Sequence, residues 1–171
     1  GQGIKLISRE PTQLGQTLEI SVQGEVAKVK LPLIGAYQSA NALVSAGVAI
    51  ASGCDADVVI ANLARLQPVR GRLERAAISR SGAPVYVDYA HTPDGLEAAI
   101  AALRPHTKGK LILVFGAGGD RDAGKRPLMG EIAARDADIS IVTDDNPRTE
   151  EPATIREQVI AGAPSALNIG D

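Results

Sequence analysis

Three short runs hold most of the side chains in this chain that are suited to chemistry: Asp88-Tyr89-Ala90-His91-Thr92-Pro93, the glycine-rich run Gly116 to Lys125 (GAGGDRDAGK), and Thr143-Asp144-Asp145-Asn146-Pro147-Arg148-Thr149-Glu150. The second offers backbone N–H groups and an arginine to an anionic group. It nearly fits two phosphate-binding templates and meets neither. The dinucleotide fingerprint G-x-G-x-x-G needs glycine where Arg121 stands, and G-x-x-x-x-G-K-[ST] fits Gly119, Gly124 and Lys125 but meets Arg126 where a hydroxyl is required. In the third run, Pro147 fixes the backbone and pushes Asn146 towards an extended conformation, so that Asn146 and Arg148 become rigidly presented groups. An arginine held in this way grips a carboxylate through two parallel hydrogen bonds, about 1.5 to 3 kcal/mol when charge-assisted. Each run also has a plain alternative: a glycine turn with solvated charges for the second, an Asx-Pro turn with surface charges for the third. Asp88 ends an apolar run and is placed to accept hydrogen bonds from sugar hydroxyls or to cap the next helix, although Thr92 already fills the cap. His91, in a helix-entry loop, reads as structural. His106 has no clustered ligands, so no metal site is expected.

These loops need strands to carry them. Leu111 to Phe115 is a continuous apolar run closed by glycine, the pattern of a strand buried on both faces of a parallel sheet, whose carboxyl end is where ligands sit in open sheets. From Pro68 onward strands and helices alternate: strands at Leu73 to Ser79 and Val85 to Tyr89, a helix from Thr92 to Leu103, the strand at Leu111, a helix over about Pro127 to Arg135, strand Ile139 to Thr143, a helix from Glu151 to Ala161, and a strand near Ala166 to Ile169. That order predicts an α/β fold with a mostly parallel sheet and helices on both sides. The tips of the three loops would then lie along one edge and converge on a crevice. Before Pro68 the alternating runs IKLIS, TLEISV and EVAKVKL predict antiparallel strands, followed by a buried helix over Ser39 to Ala51 and a second helix over Asp55 to Leu66 with Asp55 as its N-cap. PVRGRLE, with a turn glycine between two arginines, reads as the boundary between domains 1–70 and 71–171.

Composition narrows the function classes. The chain has 171 residues and 44% hydrophobic content, ample for a core, and a net charge of -2 with only three Tyr and one Phe argues against a nucleic-acid surface. The longest uncharged stretch, Leu31 to Cys54, is broken by Pro32, Gly35, Gln38, Asn41 and Gly47 and makes a poor membrane span. No basic segment followed by an apolar one opens the chain, so the expected location is cytoplasmic. The single cysteine, Cys54, excludes an intrachain disulfide and reads as a small buried residue. Opening on GQGIKLIS without Met, in mid-strand pattern, the chain reads as a piece of a longer protein.

Taken together, PVRGRLE, VDYAHTPDGLEAAI, VFGAGGDRDAGKRPLMG and IVTDDNPRTEEP strongly resemble the Mur ligase family, and within it the members that join meso-2,6-diaminopimelate to UDP-N-acetylmuramoyl-L-alanyl-D-glutamate. The resemblance covers most of the chain from Leu33 onward. It implies the tail of a central ATPase domain followed by a Rossmann-like C-terminal domain, a cytoplasmic monomer, and the substrates just named with ATP and Mg2+. It also implies that the phosphate loop, the magnesium ligands and a modified lysine lie upstream, and that a glycine-lysine-glycine-histidine-glutamate motif lies beyond Asp171. Residue by residue, it carries adenine recognition onto Asn41, with Gln38 departing from the family's first asparagine. It carries phosphate contact onto Arg72, ribose contact onto Asp88, and diaminopimelate recognition onto Arg121, Asp145, Asn146, Pro147 and Arg148. The implied reaction activates a carboxylate with ATP as an acyl phosphate, which an amine attacks; no residue presents itself as the general base. Physics agrees with the amino acid: meso-diaminopimelate differs from lysine chiefly by a distal carboxylate, and lysine would leave Arg148 unpaired. The rival reading is a non-catalytic Rossmann-like module that binds a nucleotide or amino acid through the same loops. Folylpolyglutamate synthetase, a third possibility, is disfavoured by DNPR.

Overall fold

The computed structural model describes residues 3–170. The chain divides into two compact units, Gly1–Tyr89 and Ala90–Asp171.

In the first unit, β1 (Ile4–Thr12), β2 (Gly15–Val22) and β3 (Glu25–Leu31) form an antiparallel sheet in that order. Gln23 and Gly24, both at positive φ (52° and 98°), make the two-residue turn that matches the twist of paired strands. Pro11 is tolerated because β1 is an edge strand. On β2 the alternating residues Gln16, Leu18 and Ile20 are buried, and they pack with Leu31, Ala42, Ala46 and Leu63 under α1 (Ala36–Ala51) and α2 (Ala56–Leu63). Gln16 also fixes where α1 begins: its amide donates to the carbonyls of Leu33 (3.0 Å) and Gly35 (2.8 Å). Asp55 caps α2 as expected, accepting from the Val58 amide at 3.0 Å.

Three expectations need correcting in this unit. Helix α1 is not buried all round, because its inward stripe is narrow: Ser39, Ala42 and Ala46 face the core, whereas Val44 and Val48 are 68% and 62% exposed. Cys54 is exposed. It follows Gly53 (φ 97°) in a Schellman ending of α1, with Gly53 N donating to Ile50 O and Cys54 N to Ala49 O, and this turn carries it away from the core. The strands β4 (Glu74–Ile78) and β5 (Pro84–Val87) form their own antiparallel hairpin instead of joining a parallel sheet. The link over 79–83 is far too short for the crossover that parallel pairing requires.

In the second unit, β6 (Ile112–Phe115), β7 (Ile139–Val142) and β8 (Leu167–Asn168) are parallel, with Phe115 beside Val142 and Val142 beside Asn168. Helices α3 (Pro93–Leu103), α4 (Lys125–Asp136) and α5 (Pro152–Ile160) supply Leu96, Ile100, Met129, Ala133, Ile155 and Val159 to one core with Leu111, Phe115 and Val142. Thr92 caps α3, its hydroxyl accepting from the Gly95 amide at 3.2 Å, and Pro93 fills the first turn. The strand β6 is buried on one face only. Ile112 and Val114 are 57% and 59% exposed, whereas Leu111 and Phe115 join the core to which α3, α4 and α5 contribute. An unbroken apolar run states that both faces are apolar, not that both are covered.

Helices α4 and α5 meet through glycine. A Cβ on Gly130 would lie 2.1 Å from Val159 O, and one on Gly162 would lie 1.9 Å from Pro127 O, both backbone atoms of the facing segment. Substitution of Gly130 by Ala is therefore expected to lower unfolding stability by at least about 1 to 3 kcal/mol, the usual cost of overpacking, read as a shift in the denaturant midpoint at unchanged slope.

Candidate functional site

The carboxyl ends of β6 and β7 carry the second and third runs, and the two loops are knitted together. Gly119 N donates to Asn146 O at 2.9 Å. The Arg148 guanidinium returns the contact through Nη1 to the Gly119 carbonyl. The Asp120 carboxylate accepts from the Thr149 hydroxyl (2.7 Å) and amide (3.2 Å). The fit is close enough to demand glycine: a Cβ on Gly119 would lie 1.8 Å from Pro147 O, and one on Gly116 2.6 Å from Thr143 O.

Asp145, Asn146 and Arg148 are exposed along this rim, and so is Arg121, which makes no hydrogen bond or ion pair among the described residues. The Asx-type turn is present, since Asn146 Oδ1 accepts from Arg148 N at 3.2 Å. It coexists with an arginine held in place, because Arg148 sits at φ 51°, a left-handed conformation that costs a non-glycine residue about 1–2 kcal/mol. Its bond to Gly119 and the Asn146 side chain retain it there. Asp144 is engaged elsewhere, paired with Arg156 of α5.

Beneath the rim lies a feature that sequence reading missed. Arg126, in the first turn of α4, is fully buried, and its guanidinium grips both oxygens of Glu150: Nη1 to Oε2 at 2.8 Å and Nη2 to Oε1 at 2.7 Å. Nη1 also reaches Gln158 Oε1 (2.6 Å) and Nη2 the Gly118 carbonyl (3.2 Å). Glu150 Oε1 accepts the Asp120 amide at 2.6 Å. The arginine contact, and secondarily that amide, hold the Glu150 carboxyl down to about 2 from an ordinary value of 4.5. Hydrogen bonding to Glu150 raises Arg126 further above its usual value, against the opposing effect of burial. The signal in the sequence was that same misfit, an arginine where a phosphate loop has a hydroxyl.

The other site expectations fall in the first unit. Asp88 accepts from the Leu73 amide at 2.8 Å, and Arg72 lies 5.4 Å from the centre of the Tyr89 ring in a cation–π contact. Asp88 follows β5 of the antiparallel hairpin, so the parallel-sheet edge argument does not extend to it. Asn41 is exposed on α1, one turn after Tyr37. The Tyr37 hydroxyl is pushed up by burial and by the charge of Asp88, with Arg72 opposing. No helix among the described residues is long and apolar enough to cross a membrane. Of the first run, the His91 carbonyl accepts from Lys125 Nζ at 2.7 Å, so the backbone of His91 meets the Gly116 loop.

Because Glu150 is more acidic in the fold than in the unfolded chain, it contributes stability in full above about pH 4.5 and loses it as pH falls through about 2. The stability gap between the wild type and Glu150→Gln is expected to narrow over that window, measured as urea midpoints at stepped pH.

A sequence model of the Mur ligase glutamate ligase domain matches residues 71–170. A UDP-N-acetylmuramoyl-L-alanyl-D-glutamate--2,6-diaminopimelate ligase of Zymomonas mobilis is 62% identical over 169 residues, which is 99% of this chain and 35% of that protein. A solved structure of a ligase with the same name superimposes with TM-score 0.74 at 31% identity, over 99% of this chain and 35% of its own. The Mycobacterium tuberculosis folylpolyglutamate synthase complexed with ADP gives TM-score 0.72 at 26% identity, over 98% of this chain and 38% of its own. The chain thus spans about a third of the length of the proteins it matches, and with the family's domain covering residues 71–170 it belongs to the Mur ligases.

Proposed function

We propose that this chain supplies the amino-acid-positioning part, and some of the ATP-facing part, of an ATP-dependent amide ligase that adds meso-2,6-diaminopimelate to UDP-N-acetylmuramoyl-L-alanyl-D-glutamate in cytoplasmic peptidoglycan synthesis, acting as a monomer. The observation that carries this reading is the union of the two arginine-bearing loops at the carboxyl edge of the parallel sheet, with Arg148 tied to Gly119 and Arg121 exposed on the neighbouring tip. Arg148 spends one N–H on Gly119 and keeps others for a ligand; its guanidinium would pair with the distal carboxylate of the diamino acid. Asn146 and Asp145 offer acceptors to the ammonium group beside that carboxylate, while Pro147 sets their spacing. Arg121 adds positive charge on the facing loop.

On the first unit, Arg72 would contact ATP phosphates, Asp88 the ribose and Asn41 the adenine, with Gln38 in the place of the family's other asparagine. Arg72 is already oriented by Tyr89. ATP transfers its terminal phosphoryl group to the substrate carboxylate, releasing ADP; the amine of diaminopimelate then attacks the acyl carbon, and phosphate leaves as the amide forms. The residues here hold the amine near that carbon, a gain of positioning more than of bond-making chemistry. Among the described residues no three His, Cys, Asp or Glu groups come together to hold a metal. It is the family resemblance that assigns the magnesium ligands to the part of the enzyme upstream of these residues.

In the full-length protein, Arg148→Ala is expected to raise KM for meso-diaminopimelate by about 10- to 100-fold, the worth of a charge-assisted pair, with KM for ATP little changed; equal rises for both would refute the assignment. The 171-residue chain by itself, which contains no complete phosphate-loop motif, is expected to form no amide when given all three substrates. Release of ADP with amide product in that assay would overturn the division of labour. Full-length protein that binds the diamino acid but never turns over would favour a binding module instead.

A further inference from the structure

We infer that Arg126 and Glu150 are positioning residues which fix the spacing of the Arg121 and Arg148 tips, and with it the selectivity for an amino acid bearing a second carboxylate; this rests on the reading of the rim as the amino-acid site. Arg126 has no exposed surface and cannot itself touch a ligand. What it holds lies next to the groups that can. Its partner Glu150 stands two residues after Arg148 and accepts the amide of Asp120, the residue immediately before Arg121. A second partner, the Gly118 carbonyl, directly precedes the glycine whose own carbonyl holds Arg148. One planar guanidinium thereby joins the base of one tip, the base of the other, and α5 through Gln158. A lysine at this position would bring charge without the fork that satisfies these acceptors together.

An ion pair serving only stability could sit anywhere in the core. This one closes within two residues of each proposed ligand-binding arginine. Two cations on separate tips can act together on one distal carboxylate only when their separation is held, and small errors in such placement are costly to reaction rate. If the pair relaxes, the rim can still attract anions, but it loses its means of rejecting an amino acid that lacks the distal carboxylate.

The test is made in the full-length protein, with Glu150→Gln and Arg126→Lys compared with Arg148→Ala, measuring KM for meso-diaminopimelate, KM for ATP, kcat, and the preference for meso-diaminopimelate over L-lysine. For both variants KM for diaminopimelate is expected to rise about tenfold or more, KM for ATP to stay in place, and the preference over L-lysine to fall. Thr149→Val covers the case of misfolding. It removes the exposed hydroxyl bond to Asp120 on the outer flank of the same clasp, leaves the buried pair intact, and should shift the same ratio by a smaller factor. Parallel changes in both KM values, or no change for diaminopimelate in the folded variants, would overturn the inference. If Arg148→Ala raises KM for diaminopimelate while the clasp variants do not, only the positioning role fails; if Arg148→Ala also has no effect, the amino-acid site itself is misassigned and both fall.

Discussion

The second unit turns on a charge placed where water does not reach. Arg126 lies inside the protein, and it is tolerable there because Glu150 meets it with both oxygens while Gln158 and a backbone carbonyl take further hydrogens. Such pairs add little net stability, since desolvation offsets most of the attraction, yet removing one member leaves the other stranded. What the pair contributes is geometry. The start of α4 and the loop after β7 supply its two members, the loop after β6 bonds to both of them and the side of α5 to the arginine, so the four are tied at one point. The glycines follow from the same closeness: Gly119 and Gly116 stand where the other loop's carbonyls leave no room for a side chain.

Much of this was legible in the residues, and what was not has a common cause. Caps are local, and Asp55 and Thr92 were readable because each is decided within a few positions. The loops with chemistry were readable because glycine, proline and charge follow apolar runs. Sidedness was not: the periodicity around Val44 and Ile112 announces apolar faces without saying what covers them. Strand pairing was misjudged at the hairpin because alternation of strands and helices was given more weight than the shortness of the link over 79–83. The partner of Arg126 was invisible because Glu150 lies 24 residues away, and only the fold makes them neighbours.

The two units each organise their own candidate contacts. In the first, Asp88 braces the Leu73 amide, whose residue sits at φ 46°, and Arg72 lies against Tyr89. Tyr37 feels both charges from the start of α1, whose position is set by Gln16 beneath Gly35. In the second, Glu150 holds the Asp120 amide, Arg148 the Gly119 carbonyl and Thr149 the Asp120 carboxylate. Groups preorganised in this manner need little rearrangement when a ligand arrives, which lowers the entropic cost of capture.

Lys125 and Arg126 are adjacent, yet they serve different partners: the first reaches the His91 carbonyl ahead of α3, the second the buried carboxylate behind the rim. Adding one residue between them, inside the first turn of α4, would turn one side chain away from the other by a further ~100° around the helix axis, so that both partners could no longer be met at once. The length of this turn is therefore as tightly set as its residue types: keeping both basic side chains does not help once their angular spacing is lost.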